Sequence, residues 1–279
     1  MVSNFHLPPM GYGPGSQPPE EDGAELEYLP MPQDMRAYSP HVPDVDNPDK
    51  YTPALTLLAE VAAASAQAGK GGENKVFDLS ELDADNRGLI AETMGEGEVA
   101  AKLHGVPAVA AQESVFAGVW VMHGAGLDAL EVGPAPSLAF ERAFVPRKPA
   151  LGDAAEKVPG VVNAPPLLVE LLDKSEAYKP DTEVHVINLT LLPHTEQDLV
   201  WLDAALGTGS VDVLSRGYGN CRITATATEN VWRVQFFNSM DTLILDTFEV
   251  TNMPEIALAA PEDLIDSGAR ILEVLEAIR

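Results

Sequence analysis

The chain repeats itself, and this internal repeat restricts its possible folds more than any other feature. Four segments return in the same order, and the offset rises only from 110 to 118 residues. Such ordered matches predict two copies of one supersecondary unit, with small insertions in the loops. The matched pairs are FDLSEL (77–82) with INLTLL (187–192), GEGEV (95–99) with GTGSV (207–211), ESVFAGVW (113–120) with ENVWRVQF (229–236), and EVGPAP (131–136) with EVTNMP (249–254).

The second copy shows best what one unit contains. Thr195 is a helix N-cap residue, Asp198 follows as a weaker form of the capping box, and Gly207 ends the predicted helix. Four β-forming runs come next, SVDVLS, CRITATAT, NVWRVQFFN and TLILDTFEV, separated by turn residues. The pattern predicts one helix packed on an antiparallel meander of about four strands in each copy, which is an α+β fold.

Two helices outside the matched segments complete the predicted architecture. A linking helix begins near Pro165 and a last helix at Pro261, and each has an apolar stripe that we expect to hold the two sheets together. The predicted domains are a proline-rich acidic arm over 1–50, a first repeat with a leading helix over 51–160, and a second repeat with the C-terminal helix over 161–279. The stripes are Leu168, Leu171 and Leu172, and Leu264, Ile271, Leu275 and Ile278.

The first 50 residues differ in composition from the rest of the chain. Prolines recur, and nine acidic residues stand against two basic ones, a net charge of −7. Proline removes a backbone donor and fixes φ, so the arm is predicted to be extended, with polyproline II character. Its apolar Leu29, Met31 and Met35 either dock on the body of the protein, which we favour slightly, or contact a partner.

Composition excludes several partners. The 279 residues carry 43 acidic and 17 basic side chains, a formal charge of −26, which argues against a nucleic-acid or anionic-membrane surface. The N-terminus has no secretory signal, and no apolar stretch reaches the roughly 18 residues of a spanning helix. Cys221 is the single cysteine, which excludes an internal disulfide. We expect a cytoplasmic protein that neither binds nucleic acid nor inserts directly into a membrane.

Catalytic motifs are not found in the sequence. GKGGENK (69–75) lacks the order of a phosphate-binding loop, and VLSRG (213–217) has Val213 where a nucleophile elbow requires glycine. The six histidines show no metal-ligand spacing. We therefore expect no enzyme, and we assign no catalytic residue, metal ligand or cofactor.

The segment SRGYGNCRI (215–223) stands apart, because the second copy is four residues longer here than the first. It places two arginines, a phenol and an amide in a chain with few cations, and its glycines allow a sharp turn or a close approach. Two interpretations stay open: a hairpin turn with arginines paired to local acids, or a partner surface. The candidate partner-binding residues are Arg216, Gly217, Tyr218, Gly219, Asn220, Cys221 and Arg222, followed by Asn230, Gln235 and Asn238.

Two of these positions have competing interpretations. Strand alternation puts Trp232 and Val234 on one face and Arg233 and Gln235 on the other, where Gln235 is either a binding residue or a sheet hydrogen bond. For Cys221 alone, a packed core side chain is favoured over a reactive thiol.

Residues 187–250 resemble the C-terminal module of the HupH/HyaF family of hydrogenase expression and formation proteins. The stretches RGYGNCR and N-V-W carry the resemblance most specifically, and LPMP-x-x-M (29–35) and EDLIDSGARI (262–271) add to it. The duplicated module is a family trait, so the resemblance covers nearly the whole chain beyond the first 25 residues or so.

The resemblance implies a cytoplasmic, non-catalytic, chaperone-like protein. Its expected partner is the precursor of the iron–sulfur small subunit of an uptake [NiFe] hydrogenase, held before twin-arginine export, and a thioredoxin-like accessory protein is a second implied partner. An alternative makes Cys221 chemically active, as a redox thiol or a transient iron–sulfur cluster ligand. A third interpretation, a small-molecule-binding α+β enzyme, would need a deep polar pocket.

Overall fold

Ten antiparallel strands form one continuous sheet in the computed structural model, which describes residues 42, 43, 45, 47–180, 182–216 and 220–278. The order is β1-β5-β4-β3-β2-β7-β8-β9-β10-β6. Most of the predicted arm, including Leu29, Met31 and Met35, lies outside these residues. At its described end, Pro48–Tyr51 forms a short 3-10 helix, so the prediction of an extended chain is wrong there. The strands are β1 (Lys75–Asp78), β2 (Val99–Leu103), β3 (Val109–Glu113), β4 (Val119–Gly124), β5 (Leu127–Val132), β6 (His185–Asn188), β7 (Val211–Ser215), β8 (Asn220–Ala225), β9 (Val231–Phe237) and β10 (Leu243–Val250).

The strand order is symmetrical about the β2–β7 pair, with five strands of the first half on one side and five of the second half on the other. Ala101 pairs with Val213 at this junction. Because the pairing satisfies backbone groups that two separate sheets would each leave exposed at an edge, the halves fuse. The α+β fold class is confirmed, but the prediction of two sheets held together by helices is wrong.

Each half contains more than one helix and four strands. The short strands β1 and β6 come from the matched FDLSEL and INLTLL segments, which are too brief to show a strand pattern in the sequence. A second helix precedes each of them, and Thr195 forms the predicted capping box with Asp198. The helices are α1 (Thr52–Ala68), α2 (Ala84–Met94), α3 (Ser137–Arg142), α4 (Ala164–Ala177), α5 (Glu196–Leu206) and α6 (Pro261–Ile278).

Helices α1, α2, α4, α5 and α6 form two layers on the same face of the sheet. Helices α1, α2 and α6 cover β1, β5 and β4 at one end, and α4 and α5 cover β6 and β10 at the other. The predicted stripe of α6 is buried, as are Leu168 and Leu171 of α4, whereas Leu172 is 41% exposed and was wrongly assigned to the core. A helix packed on a sheet turns only part of its circumference toward the sheet, and Leu172 of α4 lies outside that part.

The last helix follows the second half in sequence but packs on the first half. Leu264 and Ile271 of α6 share a core with Leu58 and Val61 of α1. The two helices approach closely at Gly268, where a Cβ atom would lie 2.7 Å from the carbonyl oxygen of Ala62. Glycine therefore sets the distance between α6 and α1, because any side chain would push them apart.

The opposite face of the sheet is buried along its middle. Trp120, Met122, Val213, Ile223 and Trp232 belong to one core cluster that spans both halves. Helix α3 and the turn over Glu255–Ala257 pack against this cluster. The sheet thus has an apolar face that is buried in the centre and a second face that carries helices only toward its two ends.

Candidate functional site

The middle four strands leave one face open between the two helix layers. Side chains of β2, β3, β7 and β8 on this face are exposed or half-buried, whereas those on the other face are buried except for the half-buried Val99. A sheet face of this kind is available to a partner without any movement of the protein. We call it the central strip: Ala100, Lys102, Ala110, Gln112, Asp212, Leu214, Arg222 and Thr224.

Cations gather on the central strip and beside it. Lys102 and Arg222 lie on the strip, Arg216 follows the end of β7, and Lys148 lines a cleft next to α5. Within the described residues none of these four forms an ion pair. Two carboxylates near them are engaged elsewhere, since Asp212, the register partner of Lys102, accepts from Arg147, and Asp203 accepts from Arg233. In a chain with 43 acidic residues, these four cations therefore remain available to an anionic ligand.

The cleft beside the strip has a volume of about 470 Å³ and is lined by Arg222, Arg233 and Gln235. The Arg233 guanidinium is occupied: Nε and Nη2 donate to Asp246 at 3.0 and 2.7 Å, and Nη1 donates to Asp203 at 2.7 Å. Burial opposes the positive charge of Arg233, but these two carboxylates outweigh it and raise the pKa. Arg233 therefore has a structural role in the wall of the cleft, and Arg222 is the arginine there whose guanidinium can bind a ligand.

Several sequence-predicted residues meet at the strip. Arg222 and Gln235 are register partners on adjacent strands and both line the cleft. The guanidinium of Arg222 lies 5.5 Å from the ring centre of Phe237, which holds it over the sheet. Asn220 Nδ2 donates to Asp241 Oδ1 at 3.1 Å, and the backbone N–H of the exposed Arg216 donates to the Glu98 carbonyl at 3.0 Å.

Two other candidates serve turns. Asn230 has a φ of 59° at the β8–β9 turn, and its carbonyl accepts from Thr251 N at 2.8 Å. Asn238 Oδ1 accepts from the backbone N–H groups of Met240 and Thr242, which shapes the β9–β10 turn. Asparagine favours such turns, so at these two positions it indicates backbone conformation. The remaining candidates, 217–219 (Gly217, Tyr218 and Gly219), lie outside the described residues.

Cys221 does not share the surface of Arg222. Strand alternation turns its side chain to the opposite face, where it is 3% exposed within the central core. Burial, with a smaller effect of the Glu249 charge, raises the pKa of the thiol to about 12. The thiolate is the form that reacts and ligates, so this environment opposes both activities.

A polar cluster that includes Asp212 of the central strip has no counterpart among the sequence predictions. His104 Nε2 lies 2.8 Å from Asp212 Oδ2, and Arg147 Nη2 donates to the same oxygen at 2.8 Å. Arg147 Nε also donates to the Gly209 carbonyl at 2.6 Å. These residues are up to 108 positions apart and meet only because β2 pairs with β7, so no local pattern indicates them.

Two further searches cover the described part of the chain. No group of three or more His, Cys, Asp or Glu residues there is arranged to hold a metal ion. None of its helices combines the length and the apolar character needed to cross a membrane.

The family and its relatives agree with the expected resemblance. A family model described as HupH hydrogenase expression protein, C-terminal conserved region, matches residues 52–142 and 161–278. The chain is 61% identical over 279 residues to the hydrogenase expression/formation protein HupH of Rhodobacter capsulatus, covering 100% of each chain. Identity is 43% to HoxQ of Cupriavidus necator, covering 99% of this chain and 98% of that protein. It is 32% to the hydrogenase-1 operon protein HyaF of Escherichia coli, covering 98% and 95%. The chain belongs to the HupH family of hydrogenase expression proteins.

Proposed function

We propose that this chain is a hydrogenase maturation factor that acts by binding rather than catalysis. It holds the precursor of the iron–sulfur small subunit of an uptake [NiFe] hydrogenase in the cytoplasm before twin-arginine export. Family membership and the names of the relatives support the role in hydrogenase formation. The observation that carries the binding mechanism is the open central strip with its unpaired cations.

The strip has the dimensions and the chemistry of a protein-binding surface. Neighbouring strands lie about 4.8 Å apart, so four strands give a floor roughly 14 Å wide, enough for one helix of about 10–12 Å diameter. Ala100, Ala110 and Leu214 supply a shallow apolar floor, and Lys102 and Arg222 supply charge. A client segment with carboxylates would gain apolar contact and charge-assisted hydrogen bonds on the same surface.

The remaining surface is strongly acidic and acts at longer range. With a net charge of −26, it attracts basic client segments, and salt weakens this attraction. A client with both basic and acidic segments would be oriented by the two surfaces. A thioredoxin-like accessory protein is the second proposed partner.

Two copies of one unit form the scaffold in this proposal. The symmetrical strand order supports the duplication, and the family model matches one stretch in each half of the sheet. The central strip then lies where the copies join, so a surface across β2 and β7 exists only in the fused form.

Thiol chemistry at Cys221 is the less favoured alternative. The buried thiol with its raised pKa lies on the face opposite the strip, so a client bound to the strip would not meet it. The third interpretation, an enzyme with a deep polar pocket, has the cleft beside α5 as its location. There Arg233 is already bound to two carboxylates, which favours a structural role.

Affinity purification from cells that also express the small-subunit precursor tests the proposal. We expect the wild-type chain to recover the precursor with its signal sequence, identified by mass spectrometry. The double variant Lys102→Glu, Arg222→Glu reverses two charges on the strip and should recover about tenfold less. Lys70→Glu, Lys179→Glu is the matched control, because these cations also lack ion pairs among the described residues but lie away from the strip.

Two outcomes would contradict the proposal. If the wild-type chain recovers no precursor, the client is wrong. If the strip variant and the control variant recover equal amounts, the strip does not bind it. Thermal melts of all the variants show whether a loss of recovery reflects a loss of folding.

A further inference from the structure

Two glutamates at corresponding positions of the sheet have different surroundings. Glu131 lies on β5 and Glu249 on β10, and each of these strands is second from an edge. Each glutamate stands in register between a valine of the edge strand and a buried tryptophan of the next strand. The rows are Val76, Glu131 and Trp120 in the first half, and Val186, Glu249 and Trp232 in the second.

Glu131 is held by three donors within the protein. It is 3% exposed, and its Oε1 accepts from Asn74 Nδ2 at 2.8 Å and from both the N–H and the hydroxyl of Ser137 at 2.6 Å. Three donors therefore replace the water that the carboxylate loses on burial. This carboxylate is part of the fold.

Glu249 lacks the donors that hold Glu131. Val184 stands in register where the first half has Asn74, and Glu255 stands six residues after Glu249, as Ser137 does after Glu131. Among the described residues, its one side-chain hydrogen bond is a long contact of 3.4 Å from the Thr247 hydroxyl. Burial raises the pKa of Glu249, and the nearby charge of Glu255 raises it further. Neither Glu249 nor Glu255 forms an ion pair with a described residue.

Glu249 and Glu255 line an apolar cleft of about 590 Å³. Val184, Val186 and Ile256 line it and are 43%, 50% and 45% exposed. In the sheet described, β6 pairs only with β10, so its other edge presents free backbone donors and acceptors beside the cleft. Exposed apolar side chains around two carboxylates form a binding surface, because a surface that served solubility alone would not expose them together.

We propose that this cleft binds an extended peptide segment in which a lysine or arginine is flanked by apolar residues. The segment adds along the free edge of β6, places its cation between Glu249 and Glu255, and packs its apolar side chains on Val186 and Ile256. Charge complementarity selects the cation, since two carboxylates with few donors of their own lose repulsion when it binds. Backbone pairing at the edge and alternate side chains in a groove are a known mode of peptide recognition.

The site is separate from the central strip, which lies on the other face of the sheet. It rests on the proposed function only for the identity of the client, which would supply the basic and apolar segment. The chemistry of the cleft can therefore be tested without any hydrogenase precursor.

Fluorescence anisotropy with the full chain and a labelled synthetic peptide tests the site. The probe is a short peptide of alternating valine and threonine with one central arginine, and the matched probe has glutamine in its place. We expect the wild-type chain to bind the arginine peptide about tenfold more tightly than the glutamine peptide. Glu249→Gln and Glu255→Gln should each remove most of this preference, while Glu276→Gln, an exposed acid of α6, should keep it.

The proposal is overturned if the wild-type chain binds both peptides equally, or if both cleft variants retain the preference. A preference that Glu276→Gln also removes would overturn it too, because it would reflect net charge alone. Ile256→Ser, at the rim, should weaken both peptides alike by removing apolar contact without adding charge, and melting curves verify that each variant folds. Failure of precursor recovery with intact peptide binding would count against the proposed function and leave the cleft standing.

Discussion

Asn86 and Asp198 occupy the third position of α2 and α5, and each side chain caps the helix that precedes its own. Asn86 Oδ1 accepts from Ala54 N in the first turn of α1 at 3.0 Å. Asp198 Oδ1 accepts from the N–H groups that lead into α4, those of 162, 163 and 164, at 2.7 to 3.0 Å. One side chain in each half thus joins two helices and satisfies donors that would otherwise be orphaned.

Asp198→Asn should lower stability in a pH-dependent way. Burial opposes the ionised form, but hydrogen bonds from Thr195 and from 162–164 outweigh it and lower the pKa to about 2. The unfolded state then binds more protons between about pH 4 and 2, so this contribution is complete above pH 4 and is lost as the pH falls toward 2. At pH 7 the variant should lose about 2 kcal/mol of unfolding free energy, measured by urea denaturation. Equal urea midpoints for variant and wild type would contradict this account.

Glu113 should make stability fall as the pH rises. Burial, together with the charges of Glu98 and Asp263, raises its pKa to about 7, against one hydrogen bond from Gly118 N at 3.0 Å. The folded state keeps the proton between about pH 4.5 and 7 while the unfolded state loses it. Unfolding free energy therefore declines by about 3 kcal/mol across that window.

The matched substitution for that prediction is Glu113→Gln, which keeps an acceptor for Gly118 but does not titrate. Its unfolding free energy should lose this decline, and Glu276→Gln should retain the wild-type profile. A parallel pH profile in Glu113→Gln and wild type would show that Glu113 is not the group responsible.

The thiol of Cys221 should be unreactive in the folded protein. Its burial and its pKa of about 12 keep the thiolate scarce, so a disulfide reagent at pH 8 should label it only in denaturant. Cys221→Ala should cost about 1 kcal/mol, because a small buried group is removed, and should still support hydrogenase maturation. Rapid labelling of the native chain, or a folded Cys221→Ala that fails in maturation, would restore the thiol alternative.

Neutralising the two corresponding glutamates should change stability in opposite directions. Glu131→Gln removes the buried negative charge that accepts three hydrogen bonds, a loss of about 1–3 kcal/mol. Glu249→Gln removes a half-buried charge next to Glu255, so its melting temperature should rise. Differential scanning calorimetry at pH 7.5 decides between the two signs, and a fall in both variants would show that Glu249 is held as firmly as Glu131.

Local features of the sequence predicted much of each half. The capping box of Thr195 and Asp198 was visible because its residues are three positions apart. Alternation along β9 correctly placed Trp232 in the core and Gln235 on the opposite face, because side chains of a strand point to alternate faces. Arg222 was identified because its segment is longer in the second copy than in the first and places cations in an acidic chain.

Non-local contacts could not be derived in the same way. Ala101 pairs with Val213 because two strands more than one hundred residues apart in the chain become neighbours in the sheet. This pairing depends on which strand edges remain unpaired once both halves have formed. The same junction brings Asp212 to His104. The return of α6 to α1 follows from the close approach at Gly268, which no spacing within α6 indicates.

The sequence by itself determined the repeated elements, their caps, the buried face of most of them and the family, because each of these depends on residues close together in the chain. The tertiary structure alone decided that the halves share one sheet, that a strip of four strands stays open, and that Glu249 lacks the donors of Glu131. These depend on side chains brought together from distant positions, whose burial and pairing are settled only when the whole sheet closes.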